Sequence, residues 1–215
     1  ALRCYLRLST YRGRGGGMRV LVGCEYSGTV RDAFLAAGHD AISCDLLPTD
    51  KPGPHYQGDI AEMLNHSWDL IIMHPPCTAL TVAGNGTYGE GKPKYKERLQ
   101  SVAWTMGLWE KSTAVSPRVC FENPVGVLSR LGGMVKADYI QPYQFGHKEQ
   151  KKTGLYLQGL EPLRETENVY KEMMLLPVNV RQRMFHLPPS HDRWKIRSTT
   201  YAGIAAAMAG QWGGL

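Results

Sequence analysis

Arg19-Val20-Leu21-Val22-Gly23-Cys24-Glu25-Tyr26-Ser27-Gly28 reads as a β-branched, apolar strand that runs into a tight turn of small residues. A helix follows. Ser27 or Thr29 is placed to cap it, Val30, Ala33, Phe34 and Ala37 fall on one face, and Gly38 is placed to end it. Asp40-Ala41-Ile42-Ser43-Cys44-Asp45 then reads as a second strand finishing on an acid. Residues 46–58 carry Pro48, Pro52, Gly53 and Pro54 and read as a loop. Gly58-Asp59-Ile60 leads into a short helix, and Asp69-Leu70-Ile71-Ile72-Met73 is a short apolar run of the kind found in parallel sheets.

This order, strand-turn-helix-strand(Asp)-strand, opens a doubly wound, Rossmann-like α/β fold. Its turn lets the backbone approach a ligand, and the helix behind it presents an electropositive end. Asp45 is suited to accept from both hydroxyls of an adenosine ribose. The GxGxxG pattern is absent, and an acid at this place suits NAD as well as S-adenosylmethionine.

The third strand ends in His74-Pro75-Pro76-Cys77. Proline donates no backbone hydrogen bond and biases the residue before it toward extended structure. The prediction is a stiff loop at the carboxyl end of a central strand, where open α/β sheets bind ligands. Cys77 alone reads either as an inert buried thiol or as a nucleophile. A further strand, Arg118 to Glu122, ends on Glu122-Asn123-Pro124, placing a second polar set at a strand end. Between them, residues 83–98 are Gly- and Lys-rich and read as a mobile loop. A helix is predicted from Glu97 to about Ala114, with Leu99, Val102, Ala103, Met106, Leu108 and Trp109 as its core. Residues 154–160 read as a strand, residues 161–197 as polar and poorly periodic, and residues 202–211 as a small-residue helix.

The chain has 215 residues, 43% hydrophobic and 20% charged, which suits one ordinary globular domain. No apolar run approaches the roughly 18 residues of a membrane span. Five cysteines without a CxxC pair suggest neither a disulfide framework nor a metal site, and favour a reducing cytoplasm. The net charge is +6, but four of the 25 basic residues precede Met18, leaving 21 against 19 acids. Residues 1–17 therefore read as a disordered leader or an artificial extension, and residues 18–215 as the working domain.

Taken together, Val22 to Gly28, Asp45, Gly58-Asp59-Ile60, Pro75-Pro76-Cys77, Glu122-Asn123-Pro124, Lys151 to Leu160 and Arg197 to Ala205 resemble the C5-cytosine DNA methyltransferase family, and its short phage- and prophage-type members in particular. The resemblance implies a single-domain S-adenosylmethionine-dependent methyltransferase fold. It places the cofactor at Gly23, Cys24, Glu25, Tyr26, Ser27, Gly28, Asp45, Asp59, Ile60, Pro75 and Thr200, and requires no metal. It makes Cys77 the nucleophile on carbon 6 of cytosine. Glu122 becomes the partner of N3 and the exocyclic amine, with Asn123 and Pro76 shaping the loop. The implied partner is duplex DNA with the target base flipped out. Lys151, Lys152, Arg181, Arg193 and Arg197 are the expected phosphate contacts.

The pattern departs from the family at several points. Glu25 and Tyr26 alter the glycine-rich first motif, Pro124 stands where valine is usual, and Lys151-Lys152 replaces an arginine element. Only about residues 161–195 are available for target recognition. Two alternatives follow: the same chemistry on a free nucleotide or single strand, and a non-catalytic DNA-binding protein that retains the fold.

Overall fold

The computed structural model describes residues 16–214. The expectation for residues 1–15 lies outside the described residues. The strands are β1 (Arg19–Gly23), β2 (Asp40–Asp45), β3 (His55–Gln57), β4 (Leu70–Met73), β5 (Val119–Pro124), β6 (Asp138–Ile140) and β7 (Thr153–Gln158). They form one seven-stranded sheet in the order β3-β2-β1-β4-β5-β7-β6. β1 to β5 are parallel to one another, and β7 runs antiparallel to both β5 and β6. The order reverses beside β1, which makes this the doubly wound Rossmann-like α/β fold that the sequence predicts.

Three helices build the covering layers: α1 (Thr29–Ala36), α2 (Tyr95–Val115) and α3 (Ala202–Trp212). The strands' alternation decides which side each residue serves. Val20, Val22, Leu70, Ile72 and Cys120 point to one face, where they pack with Val30 and Phe34 of α1 and Ile204, Met208 and Trp212 of α3. Leu21, Ile71, Met73, Val119 and Phe121 point to the other, against Val102, Leu108 and Trp109 of α2. Because the central strands are buried on both faces, they read as continuous apolar runs.

Several local expectations change. The loop over residues 46–58 contains β3. Its earlier part is held by Arg31, whose buried guanidinium donates to Ser43 Oγ, Thr49 Oγ1 and the carbonyls of Lys51, Pro52 and Pro54. The Gly- and Lys-rich stretch includes a helical turn, Asn85–Tyr88, and α2 starts at Tyr95. Leu99 and Ala103 are exposed, while Arg98, Thr105 and Ser112 are buried beside Val102, Leu108 and Trp109. The buried hydroxyls are tolerated because Thr105 donates to the Ser101 carbonyl and Ser112 to that of Leu108, each at 2.8 Å. Residues 161–197 form helical turns at Tyr170–Met174, Val178–Arg181, Arg183–His186 and Arg193–Ser198. Among the described residues, no helix is long and apolar enough to cross a membrane.

Candidate active site

Strand register assembles the site. Gly23 pairs with Cys44 on one side and with Met73 on the other, and Met73 pairs with Phe121. The next residues along the chain, Cys24, Asp45, His74 and Glu122, therefore stand at one level near the carboxyl ends of β1, β2, β4 and β5, although β5 continues to Pro124 in its pairing with β7. The His74 amide donates to the Gly23 carbonyl at 2.9 Å, after which Pro75 and Pro76 stop the ladder. His74 Nδ1 lies 2.9 Å from Glu122 Oε2, with side-chain exposures of only 9% and 12%.

The Cys77 loop is fastened at both ends. Asn123 Nδ2 donates to the Pro75 carbonyl at 3.0 Å, joining the β5 end to the proline turn. Pro75 is buried, Pro76 exposed and Cys77 half-buried. The Cys77 carbonyl accepts from the amides of Leu80 and Thr81, both at 2.9 Å. Beyond it, Arg98 reaches in from α2. Its Nε donates to the Ala79 carbonyl at 2.7 Å, and its terminal nitrogens donate to Asn85 Oδ1 and the Thr81 carbonyl at 2.8 and 3.0 Å.

Two opposed fields act on the thiol. Burial and the Glu122 carboxylate push the Cys77 pKa above the ordinary 9.0, while Lys151, a backbone hydrogen bond and Arg197 pull it down, leaving a net rise. Burial pushes Glu122 upward too, but the His74 hydrogen bond and charge, with Lys151, outweigh it and hold Glu122 below 4.5. Burial, then Asp45 and Asp59, pushes Cys24 up to about 12. Burial, then Cys24 and nearby acids, does the same for Cys44.

The residues expected to hold a cofactor meet at the ends of β1 and β2. The turn between β1 and α1 bends sharply: Cys24 has φ 56 and Gly28 has φ 69, left-handed conformations that glycine adopts without strain and cysteine does not. Glu25 turns inward. Its carboxylate accepts from the amides of Val30 and Arg31 at 2.7 and 3.3 Å and from Ser27 Oγ at 3.2 Å. The chain's own carboxylate thus satisfies the electropositive end of α1. The N-cap position is Gly28, with no side-chain cap, rather than Ser27 or Thr29.

Asp45 Oδ1 accepts from the Leu47 amide at 2.9 Å, leaving Oδ2 on a half-exposed side chain at the sheet edge. Asp59 caps the short helix Ile60–Met63 through the Ala61 amide, and Ile60 packs over Gly23. Tyr26 reaches the far segment: its hydroxyl donates to the Lys195 carbonyl at 3.0 Å and lies 2.9 Å from Ser198 Oγ, and its ring packs on Trp194. Thr200 is buried just before α3. This donor and acceptor set, with an Asp45 oxygen that has no hydrogen-bond partner among the described residues beside a tight backbone turn, fits the ribose end of an adenosine cofactor.

The basic residues differ in exposure and in their partners within the chain. Lys151 is half-buried at the site: its Nζ donates to the Arg197 carbonyl at 2.7 Å, and its charge acts on both Cys77 and Glu122. Lys152 is exposed over the Tyr139 ring. Arg181 Nη1 donates to the carbonyls of Met174 and Leu176, so part of its guanidinium is engaged within the chain. Arg193 is half-buried and Arg197 exposed. Sequence reasoning missed His74 and Arg98. The position of His74 before Pro-Pro-Cys was a usable signal for the first, and nothing local signalled the second.

No family model matches the chain, and no curated protein matches it by sequence. Solved structures similar to it include the Thermoplasma acidophilum protein 1320, at 13% identity over 73% of this chain and 84% of that one, TM-score 0.42. The Entamoeba histolytica methyltransferase EhMeth is 12% identical over 71% of this chain and 58% of that one, TM-score 0.45. The S. pombe Dnmt2 methyltransferase is 13% identical over 81% of this chain and 61% of that one, TM-score 0.43. The chain spans less than two thirds of the length of the last two.

Proposed function

We propose that this chain is an S-adenosylmethionine-dependent methyltransferase of the C5-cytosine type, acting on DNA through a covalent bond between Cys77 and carbon 6 of the base. The observation that carries the proposal is the meeting of the Cys77 loop and Glu122 at neighbouring strand ends, tied by the hydrogen bond from Asn123 to the Pro75 carbonyl. Carbon 5 of cytosine is a poor nucleophile. Thiolate addition at carbon 6 converts the ring into an enamine, which can take a methyl group from a sulfonium. In this reading Cys77 makes that addition; burial and Glu122 oppose its thiolate in the free protein, and Lys151 and Arg197 favour it. Glu122 accepts from the exocyclic amine and stabilises charge developing on the ring. Asp45 and the backbone from Gly23 to Gly28 hold the cofactor, which supplies an electrophilic methyl group when bound. Exposed Lys152 and Arg197, with half-buried Arg193, are the candidate phosphate contacts.

The test is incubation with labelled S-adenosylmethionine and duplex DNA, single-stranded DNA or deoxycytidine nucleotides, followed by identification of the product. Label at carbon 5 of cytosine in duplex supports the proposal. Label confined to single strands or nucleotides moves the substrate to the alternative favoured by the short helical turns of residues 161–197. DNA binding without transfer favours a non-catalytic role.

A further inference from the structure

Resting on that reading, we propose that His74 is the proton reservoir through which Glu122 protonates N3 of the cytosine ring when Cys77 adds to carbon 6. An ionised carboxylate can only accept hydrogen bonds. Glu122 is held ionised by its surroundings, with His74 first among the groups that oppose its burial. Yet the addition needs a proton at N3. The S–C6 bond forms, the C5=C6 π bond breaks, and its electron pair is displaced through carbon 4 onto N3. Unless N3 gains a proton there, the negative charge stays on the ring inside a half-closed site. The thiol proton of Cys77 goes to solvent and is not available at N3.

His74 Nδ1, 2.9 Å from Glu122 Oε2, is the titratable group in hydrogen-bond contact with that carboxylate. Its Nε2 is buried and bonded to nothing among the described residues, so Glu122 alone fixes the ring by hydrogen bonding. The proposal requires the pair to bind the base with one proton more than a carboxylate plus a neutral imidazole. As the ring pair arrives at N3, the Nδ1 proton passes to Glu122 and Glu122 delivers one to N3. After methyl transfer the carbon 5 proton leaves to solvent, the S–C6 bond breaks, and N3 returns its proton to the pair. The other charged or titratable groups acting here are Lys151, on both Glu122 and Cys77, Arg197, on Cys77, and Cys120, which is buried and feels Glu122.

The test is the pH profile of single-turnover adduct formation, with S-adenosylmethionine and a mixed-sequence duplex carrying 5-fluorocytosine. Fluorine at carbon 5 blocks the final elimination and traps the complex. His74→Asn keeps one amide donor for Glu122 but holds no titratable proton. The wild-type rate is expected to rise as the thiolate forms and to fall where the pair loses its proton. In His74→Asn the falling limb moves to lower pH, and the rate at pH 8 drops about 10²-fold, the lower end for a lost acid–base group. Cofactor affinity is unchanged.

A profile with both limbs in the wild-type place overturns the role of His74, because asparagine would then have restored everything the histidine does. If His74→Asn does not fold, nitrogen NMR of histidine-labelled wild-type protein decides. One proton lost from His74 on trapping supports the proposal, and an unchanged protonation state overturns it. Absence of any adduct in the wild type removes the C5 reading itself, whereas an adduct with an unmoved profile removes only this inference.

Discussion

His74, the residue after β4, and Glu122, within the adjacent parallel β5, meet at 2.9 Å because Met73 is in register with Phe121. The contact sets how stability depends on acid. The folded pKa of Glu122 lies below its ordinary 4.5, so its contribution is fully present above 4.5 and is lost as pH falls through the depressed folded value. Urea midpoints measured from pH 6 to pH 3 are expected to fall less steeply in Glu122→Gln than in the wild type. His74→Ala leaves a nearly buried carboxylate without its donor, and at pH 7 it is expected to cost about 1–3 kcal/mol. An identical acid limb in Glu122→Gln would remove the carboxylate from this role.

The thiols can be ranked by alkylation. Cys77 is half-buried with its pKa raised, whereas Cys24 and Cys44 are pushed up to about 12 and Cys120 is fully buried. Iodoacetamide should label Cys77 first of these four, slowly at pH 7 and faster as pH climbs past 9. The sign of each neighbour follows from its charge. Glu122→Gln removes an anion and speeds alkylation at fixed pH, while Lys151→Met removes a cation and slows it. Turnover moves the other way for Glu122→Gln, falling by about 10²–10⁴-fold as an acid–base group is lost. Peptide mapping with mass spectrometry reads the first set, and labelled methyl transfer reads the second.

Asp45 offers one carboxylate oxygen without a hydrogen-bond partner among the described residues, beside the Gly23–Gly28 turn. Losing a charge-assisted hydrogen bond costs about 1.5–3 kcal/mol, so Asp45→Ala is expected to weaken S-adenosylmethionine binding about tenfold or more. Unchanged calorimetric affinity would place the cofactor elsewhere.

The exposed cations divide by role. Replacing Lys152 and Arg197 with Gln should weaken binding to all DNA sequences alike and flatten its salt dependence by about one unit of slope per lost contact. Arg181→Gln should alter that slope less, because Arg181 Nη1 already donates to the carbonyls of Met174 and Leu176. Fluorescence anisotropy across a salt series measures both.

What could be read from sequence follows the range of each interaction. The positions of Asp45 and Glu122 near the carboxyl ends of their strands were legible because a strand announces itself locally. The His74–Glu122 pair required the register between β4 and β5, which no local pattern encodes. Glu25 looked like a loop acid facing a ligand. The left-handed turn at Gly28 folds the chain back so that the same carboxylate meets the amides of Val30 and Arg31. Arg31 and Arg98 interrupt the apolar period of their helices, yet both are buried, because loop carbonyls far along the chain satisfy their donors. Hydrophobic periodicity registers what is apolar and misses polar groups that the tertiary fold satisfies.

Arg98 supplies the last prediction. The residue is 1% exposed, and its guanidinium fastens the segment that follows Cys77, through the carbonyls of Ala79 and Thr81 and through Asn85 Oδ1. Arg98→Met keeps most of the stem's packing but takes the charged donor from the Ala79 carbonyl and Asn85 Oδ1, and leaves the Thr81 carbonyl with the Gly84 amide at 3.1 Å. The expected loss is about 2–5 kcal/mol in urea unfolding, below the plain sum because water can enter a relaxed loop. Arg98→Lys keeps the charge but replaces a planar fork with a single ammonium, so it should recover only part of that loss. The loop carries the proposed nucleophile, so the damage should extend to chemistry. Alkylation of Cys77 should become faster as the loop opens to solvent, while methyl transfer slows and cofactor affinity holds. Equal losses of cofactor affinity and turnover would instead show that Arg98 supports the whole sheet edge and has no special hold on Cys77.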